Sequence, residues 1–593
     1  MYLKIAKKEK GMYLTIVEKY WDKNKKCSRE KTAKIIGYLD PSSDNYNELV
    51  SSYKKEAVEM TKKNKEDSNS NIAINLNEEL PDNYDDLKNV GYVIFKYIYK
   101  ELELDKFFKK VALNYQIEYD LNKIFELMVY SRILFPASKK KTYENRNIFF
   151  ESYDDIDLED VYRALTIFSD NEKQLQKWIY DHSVTKYNRD LSSTYFDCTN
   201  YYYDISKPDI DDVDDDGKLL LKRYRKYGPE KNHRKDPIVE LGLLMDNTSI
   251  PLAYELFPGN ESEKLHMLPV VNRARKECGF NRTIVVADRG LNTSDNIYKL
   301  NGSNKSDNNQ RDGYIYGQSV RGADQEFKEY VLNQDGYVDT KVIDNNSEII
   351  FRHKSRIYPK TIYVESPNKK GKLTKHKTTV DQKQLVYYSK KYADKQKLER
   401  DRAVERAKDL IAHPKKYDKV SAKGASGYVI NIAFDKNGEI INRSMELDEE
   451  KIKEEEKYDG YYSIVTSELN MSDIEIREKY RGLIRIEDTF KITKSELDTR
   501  PIFVRTNEHI EGHFTTCFTA LILIRLLELK LGNKHTVQEI INSLRKYNCV
   551  HLDKNHYQFV YNDQIIKDIS DAYNINLSKK YKTTNEIRRL LKY

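Results

Sequence analysis

The sequence predicts an α/β protein: a core of mixed sheet flanked by helices, interrupted by a β-rich insertion and preceded by a small β module and a helical domain. Three observations lead to this prediction. Strand-like and helix-like runs follow one another in the order βββαβαβ between about residues 190 and 320. The short apolar run TIVVA at 283–287 is typical of a strand buried on both faces of a sheet. Apolar residues spaced three and four apart over 85–188 indicate amphipathic helices.

At 593 residues the chain is too long for a single hydrophobic core. The N-terminal strand-like runs are joined by lysine-rich turns, which suit solvated turns at least as well as DNA binding. We expect this division: a small β-meander module, a possible DNA-binding element, at 1–60; a polar linker at 61–84; a helical domain at 85–189; a catalytic core in two parts, 190–320 and 474–530; a β-rich insertion domain at 321–473; and a C-terminal tail region at 531–593.

The charge and cysteine content limit the class of protein. Lys+Arg 102 against Asp+Glu 95 gives a net charge of only +7, so a DNA-binding surface requires segregation of charge. The five cysteines form no C-x-x-C pair, which argues against a disulfide framework and fits a reducing cytoplasm. Charged residues interrupt the N-terminus, and the longest apolar run, at 520–524, is too short to span a bilayer. We therefore expect a cytoplasmic protein without a membrane segment.

Two aspartates are placed on predicted strands. In STYFDCTNYYYD, alternation puts Tyr195, Asp197 and Thr199 on one face of the first core strand. Burying such a carboxylate costs free energy unless a cation meets it, and the alternative is an edge strand whose aspartate faces water. Asp288 follows the apolar strand directly, at the carboxyl end where open α/β sheets place their chemistry.

The third carboxylate is part of a regular row. Tyr480, Glu487 and Lys494 recur at every seventh residue of YRGLIRIEDTFKITK. Because seven residues make almost two helical turns, with a drift of about 20°, the three side chains project from one side of a helix. The row indicates a metal-binding carboxylate between groups that bind phosphate. The alternative is a solvated polar stripe on an amphipathic helix.

The predicted strand order suits an RNase H-like sheet. In that fold Asp197 lies on the first strand, Asp288 lies at the end of the fourth, and the helix with Glu487 packs back on the sheet after the insertion. Three such carboxylates can hold two hard cations roughly 3.5–4 Å apart. A site of this kind supports in-line phosphoryl transfer without a covalent enzyme intermediate.

Five motifs in order carry a family resemblance: YFDCTNYYYD, VVADRGL, DGYYSIVT, YRGLIRIEDTFKITKSEL and RPIFVRTNEHIEGHF. Together they resemble the DDE transposases of bacterial insertion sequences, in the branch of the IS-four superfamily that carries a β-rich insertion before the catalytic Glu. The resemblance runs from about residue 190 to 530. It implies that Asp197, Asp288 and Glu487 are catalytic and bind two Mg²⁺ ions per site, with Mn²⁺ as a possible substitute.

The resemblance also implies contacts to DNA. Tyr480 and Lys494 match the Tyr and Lys of the family's Y-x2-R-x3-E-x6-K signature, whose members contact phosphates near the scissile bond. The Arg of that signature is replaced by Leu483, and Arg481 and Arg485 are the candidates to substitute for it, although neither lies on the same helical face. In addition, the family's D-x-G motif is matched at 288–290, while Thr293 stands where an aromatic residue is expected.

The function implied is that of a transposase in a prokaryotic cytoplasm, associated with the nucleoid. It would bind double-stranded DNA at the terminal inverted repeats of its element, pair two ends as a homodimer, excise the element through hairpin intermediates and join the 3′ ends to target DNA. Two alternatives stay open: an RNase H-like nuclease without strand transfer, and a catalytically inactive, transposase-derived DNA-binding protein. Leu483 favours the inactive alternative, whereas the carboxylate triad favours catalysis.

Four further features have weaker implications. The D-x-D-x-D-G run at 212–217 resembles the start of an EF-hand loop, but Arg223 at the twelfth position excludes a calcium loop. His509 and His513 could bind a metal, although capping or core roles are more common. The family resemblance alone makes Arg500 a candidate for steadying the loop after the catalytic helix. A basic strip that could follow a phosphate backbone comprises Lys222, Arg223, Arg225, Lys226, Lys231, Arg234 and Lys235.

Overall fold

The computed structural model describes residues 1–8, 11–22, 27–43, 45–66, 79, 86–229, 236–280, 282–301, 312–344, 347–367, 373–419, 421–441, 444–553 and 555–592. The chain forms two compact units. The first comprises Met1–Tyr84 and Leu552–Lys554, and the second comprises Asp85–His551 and Asn555–Tyr593.

The first unit is a three-stranded antiparallel sheet with one helix. Its elements are β1 (Tyr2–Lys8), β2 (Gly11–Asp22), β3 (Cys27–Leu39) and α1 (Tyr46–Glu66), and the strand order is β1-β2-β3. Leu14 and Ile16 of β2 are fully buried, as is Ala57 of α1, so the helix supplies the core that three short strands lack. The sequence analysis expected the strands but not α1, which occupies the first residues of the predicted linker; apart from residue 79, the linker after residue 66 lies outside the described residues.

The second unit begins with one short strand and a group of helices. These elements are β4 (Lys88–Asn89), α2 (Val93–Glu101), α3 (Leu104–Tyr115), α4 (Leu121–Leu134), α5 (Lys139–Glu144), α6 (Leu158–Asp170) and α7 (Glu172–Ser183). Their apolar faces form one continuous core with the long helix near residue 520 described below.

The central sheet starts with five strands in the order expected from the sequence. The elements of this region are β5 (Ser193–Tyr202), β6 (Asp212–Val213), β7 (Leu219–Leu221), β8 (Ile238–Asp246), β9 (Pro251–Pro258), α8 (Met267–Cys278), β10 (Ile284–Ala287), α9 (Ser294–Leu300) and β11 (Gly313–Gln318). The spatial order is β11-β10-β5-β8-β9. Strand β10 is parallel to both β5 and β11, while β5, β8 and β9 are antiparallel neighbours. The short strands β6 and β7 form a separate hairpin.

The segment expected as a separate insertion domain continues this sheet. Its elements are α10 (Gln325–Leu332), β12 (Val338–Asp344), β13 (Ser347–Pro367), β14 (Leu373–Tyr388), α11 (Lys390–Ala412), β15 (Val429–Ile430), β16 (Glu446–Leu447), α12 (Glu449–Glu456) and β17 (Tyr461–Thr466). Strand β17 pairs with β11 on one side and with β14 on the other, giving nine strands in the order β12-β13-β14-β17-β11-β10-β5-β8-β9. This continuity differs from the expected domain boundary at 320/321. The physical reason is that β17 forms backbone hydrogen bonds with the edge of β11, whose N–H and C=O groups would otherwise be unpaired.

The remaining elements close the second unit. They are α13 (Asp473–Arg481), α14 (Leu483–Lys491), α15 (Asn507–Lys530), α16 (Val537–Lys546), β18 (Asn548–Asp553), β19 (His556–Phe559), α17 (Gln564–Tyr573), β20 (Tyr581–Thr583) and α18 (Thr584–Leu591). The region expected as a tail is thus an integral part of the fold: β18 pairs with β4 through Asn548↔Asn89, in a sheet of order β20-β19-β18-β4.

Helix α15 is the centre of the helical core. In the described part of the chain it is the one helix long and apolar enough to cross a bilayer, but 94% of its most apolar window is buried inside the protein. It packs on α4 and α6, and its side chains belong to the main core. Its apolar character is therefore accounted for by burial among the other helices.

Candidate active site

Asp197 and Asp288 occupy neighbouring positions on two parallel strands. Strands β5 and β10 pair in a register that aligns Phe196 with Ala287. One residue further along, Asp288 comes beside Asp197, and its backbone is still extended, with φ −72° and ψ 176°. Because adjacent residues of paired strands face the same side, and the strands lie about 4.8 Å apart, both carboxylates are directed to one face of the sheet.

The alternation expected for β5 is present. Phe196 and Cys198 are buried in the core on one face of the sheet, while Tyr195 and Tyr201 belong to the core on the other. Asp197 thus lies on the face of Tyr195, and it is half-buried rather than fully enclosed. This is the face against which α13 and α14 pack.

Backbone N–H groups orient both aspartates. The amide of Cys198 donates to Asp197 Oδ1 at 2.8 Å, and the amide of Gly290 donates to Asp288 Oδ1, also at 2.8 Å. A Cβ at Gly290 would lie 3.1 Å from that same oxygen. The glycine of the D-x-G motif therefore allows the chain to turn back closely over the carboxylate.

Glycine also sets the position of the helix that carries Glu487. The predicted single helix is interrupted at Gly482, between α13 and α14. A Cβ at Gly482 would lie 2.4 to 2.5 Å from atoms of the Tyr195 ring. Gly482 thus permits the helix to approach β5 two residues from Asp197. Glu487 follows on α14, where its side chain is exposed and lines the same cleft as the aspartates.

The expected row of seven-residue spacings is broken after Glu487. Residues Ile492–Glu496 form a π-helical turn, which changes the rotation per residue. Lys494 consequently donates a hydrogen bond to Thr199 Oγ1, and its Nζ lies 5.6 Å from the centre of the Tyr201 ring. Lys494 is not among the residues that line the cleft.

The cleft has a volume of about 480 Å³, and Asp197, Asp288 and Glu487 all line it. The three residues come from a central strand, the end of its neighbour and a helix after the insertion, so the fold brings together positions 290 residues apart in sequence. Among the described residues, however, no group of three or more His, Cys, Asp or Glu side chains is close enough to hold a metal ion. The carboxylates match the oxygen ligands that Mg²⁺ and Mn²⁺ prefer, and they share one cleft without converging to ligand distance.

Tyrosines form the opposite wall of the cleft. Tyr387 and Tyr462 are aligned neighbours on β14 and β17, and their rings stack with centroids 5.4 Å apart. The Tyr480 hydroxyl lies 3.1 Å from that of Tyr462. Burial, followed by Tyr462 and the charge of Asp288, raises the pKa of Tyr480, so its phenol stays protonated. The segment predicted as an insertion thus contributes directly to the site.

Three arginines line the cleft: Arg289, Arg321 and Arg481. Arg321 is bound to Asp459 at 2.7 Å, and Arg481 lies 3.7 Å from Glu478. The Arg289 guanidinium makes no hydrogen bond or ion pair with the described residues. The sequence analysis did not single out Arg289, although its place directly after Asp288 at a strand end was a usable signal. Leu483 lines the cleft as well, where the family signature has its Arg.

Of the four residues predicted to contact DNA, two line the cleft. Tyr480 and Arg481 do, whereas Lys494 and Arg485 do not. The Arg485 guanidinium instead donates to the backbone oxygen of Asn247 at 3.2 Å. Arg485 lies two residues before Glu487 on α14, so the two side chains project from different sides of the helix. The Arg485 side chain is directed to the β8–β9 turn.

The other candidates from the sequence have structural roles. His513 is buried, which lowers its pKa well below the usual value, and its Nε2 lies 3.2 Å from the Thr499 carbonyl oxygen. The His509 ring packs against Tyr162, with ring centroids 5.9 Å apart. The Arg500 guanidinium lies 5.6 Å from the Tyr202 ring centre.

The basic strip is neutralised where it is described. Each of its four described members pairs with a nearby carboxylate: Lys222 with Glu261, Arg223 with Asp212, Arg225 with Asp209 and Lys226 with Asp211. These ion pairs oppose the expected contact with a phosphate backbone. Three of the carboxylates belong to the acidic segment just before the strip, and Glu261 follows β9. Lys231, Arg234 and Lys235 lie outside the described residues.

One family model matches more than half of the chain. Residues 216–523 match the family model described as "Transposase DDE domain", a span that includes Asp288 and Glu487 and starts after Asp197. No curated protein sequence matches the chain. Solved structures with some similarity include the "Mos1 transposase paired-end complex with left transposon end", at 11% identity over 44% of this chain and 70% of that chain, with a TM-score of 0.13. Another is the "Crystal structure of the Mos1 mariner paired end complex with Mn", at 11% identity over 44% and 72% of the two chains, with a TM-score of 0.12.

TM-scores this low do not establish a common fold. The family match is independent of them, and it covers more than half of the 593 residues. It also contains two of the three carboxylates that line the cleft. The chain belongs to the transposase DDE domain family.

Proposed function

We propose that this protein is a cut-and-paste DNA transposase of the IS-four superfamily, with an RNase H-like core. It cleaves DNA at the terminal inverted repeats of its element and joins the 3′ ends to target DNA. The observation that supports this most directly is the shared cleft of Asp197, Asp288 and Glu487. The strand order β9-β8-β5-β10-β11, in which β5 is the first strand and lies at the centre, supports the RNase H-like assignment.

In this proposal the three carboxylates hold two divalent ions, Mg²⁺ or Mn²⁺. When bound, such ions supply an activated water or 3′-hydroxyl and neutralise charge on the phosphate. Asp197 and Asp288 hold their ligand oxygens from the sheet, and Glu487 holds its own from α14. In this proposal the cleft closes around DNA, which brings the Glu487 carboxylate to the two aspartates, because the three groups share the cleft without reaching ligand distance in the described structure.

The remaining cleft residues bind and orient the DNA. Tyr480 keeps its proton and can donate a hydrogen bond to a phosphate oxygen beside Asp288. Arg289 and Arg481 place positive charge at the cleft, which attracts the phosphate backbone. We assign to Arg289 the phosphate contact of the signature arginine, whose position Leu483 occupies in this chain. Arg289 lies next to Asp288 and has no carboxylate partner in the described structure. Lys494 and Arg485 are then candidates for DNA contacts outside the cleft.

The partner in this proposal is double-stranded DNA, bound by a homodimer that holds two element ends, in the nucleoid of a prokaryotic cytoplasm. The alternative favoured by a specific observation is a DNA-binding protein without catalysis, because Leu483 removes a cation from the catalytic helix. A nuclease without strand transfer uses the same cleft and differs only in its products.

Incubation of the purified protein with DNA and Mg²⁺ tests these readings. The substrate is the inverted repeats that flank the gene, labelled at both strands. A transposase yields cleaved and joined products, a nuclease yields cleavage alone, and a binding protein yields a mobility shift alone. If neither cleavage nor joining occurs with Mg²⁺ or Mn²⁺ while the ends are bound, the catalytic proposal is wrong.

A further inference from the structure

A second, smaller cavity lies beside the loop that follows α14. Its volume is about 40 Å³, and it is lined by the basic side chains Arg132, Lys139 and His513 together with Asp498 and Phe503. None of these residues lines the catalytic cleft. We call the three basic side chains and the cavity between them the basic pocket.

The members of the basic pocket are buried and joined to one another. Lys139, Arg132 and His513 are 4%, 5% and 6% exposed. Lys139 Nζ lies 3.2 Å from His513 Nδ1, while His513 Nε2 lies 3.2 Å from the Thr499 carbonyl oxygen. These contacts fit one tautomer, in which Nε2–H donates to the carbonyl and the Nδ1 lone pair accepts from Lys139.

Arg132 ties the basic pocket to the same loop. One of its terminal nitrogens donates to the carbonyl oxygens of Leu497 at 3.2 Å and Asp498 at 3.1 Å. Its Nε is buried and has no hydrogen-bond partner among the described residues. Arg132 and His513 therefore hold the backbone of residues 497–499, the segment that leads away from the helix with Glu487.

No described carboxylate forms an ion pair with Lys139 or Arg132. Asp498 lines the cavity but is not within ion-pair distance of either, and Lys139 has His513 as its one hydrogen-bond partner among the described residues. Burial, assisted by the charge of Arg132, lowers the pKa of Lys139 to about 7. Buried cations are normally paired with an anion. The described residues provide no such anion for this cluster.

We propose that the basic pocket binds a phosphate-type oxyanion, either free in solution or as a phosphate of a DNA strand. A Lys ammonium has three donors, of which His513 uses one, and Arg132 Nε provides another donor. A cavity of about 40 Å³ has room for about three water positions, which suits one tetrahedral anion and excludes a nucleotide. The anion would act on the loop at 497–499 directly through Arg132 and indirectly through Lys139, which is hydrogen-bonded to His513.

This inference goes beyond the transposase proposal and does not depend on it, because anion binding can be measured without cleavage. The first test compares the melting temperature of the full-length protein in sodium phosphate and in sodium chloride of equal ionic strength. The variants are Lys139→Met and, as a matched control on the same helix, Lys140→Met, whose side chain is exposed. A free anion predicts that phosphate raises Tm by roughly 2 °C in the wild type and in Lys140→Met, and not in Lys139→Met.

The second test separates the two sources of phosphate. Binding of a duplex oligonucleotide is measured as a function of salt for the same three proteins. If a DNA phosphate occupies the pocket, the slope of log K against log salt falls by about 0.9 in Lys139→Met and stays unchanged in Lys140→Met. The proposal is overturned if phosphate has no selective effect on Tm and the two variants also show the same salt slope.

A third measurement covers the case in which Lys139→Met fails to fold. Reductive methylation of the wild type with formaldehyde, read by mass spectrometry, reports the reactivity of individual lysines. Phosphate is expected to slow methylation of Lys139 several-fold and to leave Lys140 unaffected. Equal rates with and without phosphate contradict the proposal, as does a Lys139 that never reacts, because a pocket closed to formaldehyde is closed to phosphate.

Discussion

The Tyr195 ring occupies the space that a side chain on Gly482 would need: a Cβ there would lie 2.4 Å from the Tyr195 hydroxyl oxygen. Tyr195 is buried on β5, two residues before Asp197, and Gly482 lies five residues before Glu487. The absence of a side chain on Gly482 therefore allows the close approach between the strand that carries Asp197 and the helix that carries Glu487.

Gly482→Ala is expected to weaken both the fold and the site. Alanine gains up to about 1 kcal/mol of helix propensity, but overpacking a buried ring typically costs about 1–3 kcal/mol, so the clash prevails. We expect a lower Tm and reduced cleavage, because α14 must move away from β5. The control is Gly427→Ala, where a Cβ meets no atom within 4 Å. An unchanged Tm and rate for Gly482→Ala would refute the packing argument.

Glu487→Gln is expected to abolish DNA cleavage while leaving DNA binding intact. Loss of an outer-shell partner alone typically lowers metal affinity or activity about 10–100-fold, so loss of a direct ligand should exceed about 100-fold. Asp488→Asn is the matched control, because Asp488 is adjacent on α14 but lines a different pocket, with Arg485. The measurement is cleavage of labelled ends in Mg²⁺. Asp197→Asn and Asp288→Asn should behave as Glu487→Gln does; if any of the three keeps near-normal cleavage, its assignment as a ligand is wrong.

Arg289 and Leu483 allow a test of a relocated charge. Arg289→Ala should reduce cleavage about 10–100-fold, the loss expected when a charged hydrogen bond worth about 1.5–3 kcal/mol is removed. Adding Leu483→Arg to Arg289→Ala should restore much of the rate, because both positions line the cleft. Arg163→Ala removes the same charge from an exposed position on α6 that does not line the cleft, and it should have a small effect. A double variant as slow as Arg289→Ala would show that the two positions are not equivalent.

Asp473→Asn is expected to loosen the helix before the site. Asp473 begins α13, and its carboxylate lies 2.8 Å from His353 Nδ1 and 2.8 Å from Lys383 Nζ. Burial favours the neutral acid, but the hydrogen bonds from His353 and Lys383 prevail and lower the pKa of Asp473 from 3.8 to about 2. A folded pKa below the unfolded one means that the stabilisation is present above pH 3.8 and is lost as pH falls through about 2.

At pH 7 the variant should therefore be less stable by about 2 kcal/mol, from the size of that shift. The difference in urea midpoint between wild type and Asp473→Asn is the measurement. It should stay constant from pH 7 to about pH 4 and shrink below that. A difference that is already absent at pH 7 would show that the ion pairs contribute nothing net.

The parts of the site that could be predicted depend on local patterns. The alternation around Asp197 and the buried run before Asp288 are properties of single strands. In the structure these two strands pair in parallel with Phe196 beside Ala287, which brings Asp197 and Asp288 next to each other. The seven-residue row singled out Glu487, and the family resemblance grouped it with the two aspartates.

The parts that could not be predicted depend on distant or irregular features. Pairing of β17 with β11 joins the insertion to the core. The local sequence YYSIVT does not indicate which sheet edge this strand pairs with. Lys494 left the expected row because of a π-helical turn, which a seven-residue spacing cannot reveal. Arg485 has the composition of a DNA contact, yet the Asn247 carbonyl oxygen takes its hydrogen bond.

The pairing of β4 with β18 has a consequence for synthesis of the protein. The buried Asn89 side chain donates to the Leu544 carbonyl oxygen at 3.0 Å and to Asn548 Oδ1 at 2.8 Å, so helices α2 to α4 are sealed by residues made some 450 positions later. During synthesis β4 therefore has no partner strand until β18 has been made. A messenger that ends before Asn548 would yield a chain that holds every cleft carboxylate and lacks the strand that pairs with β4.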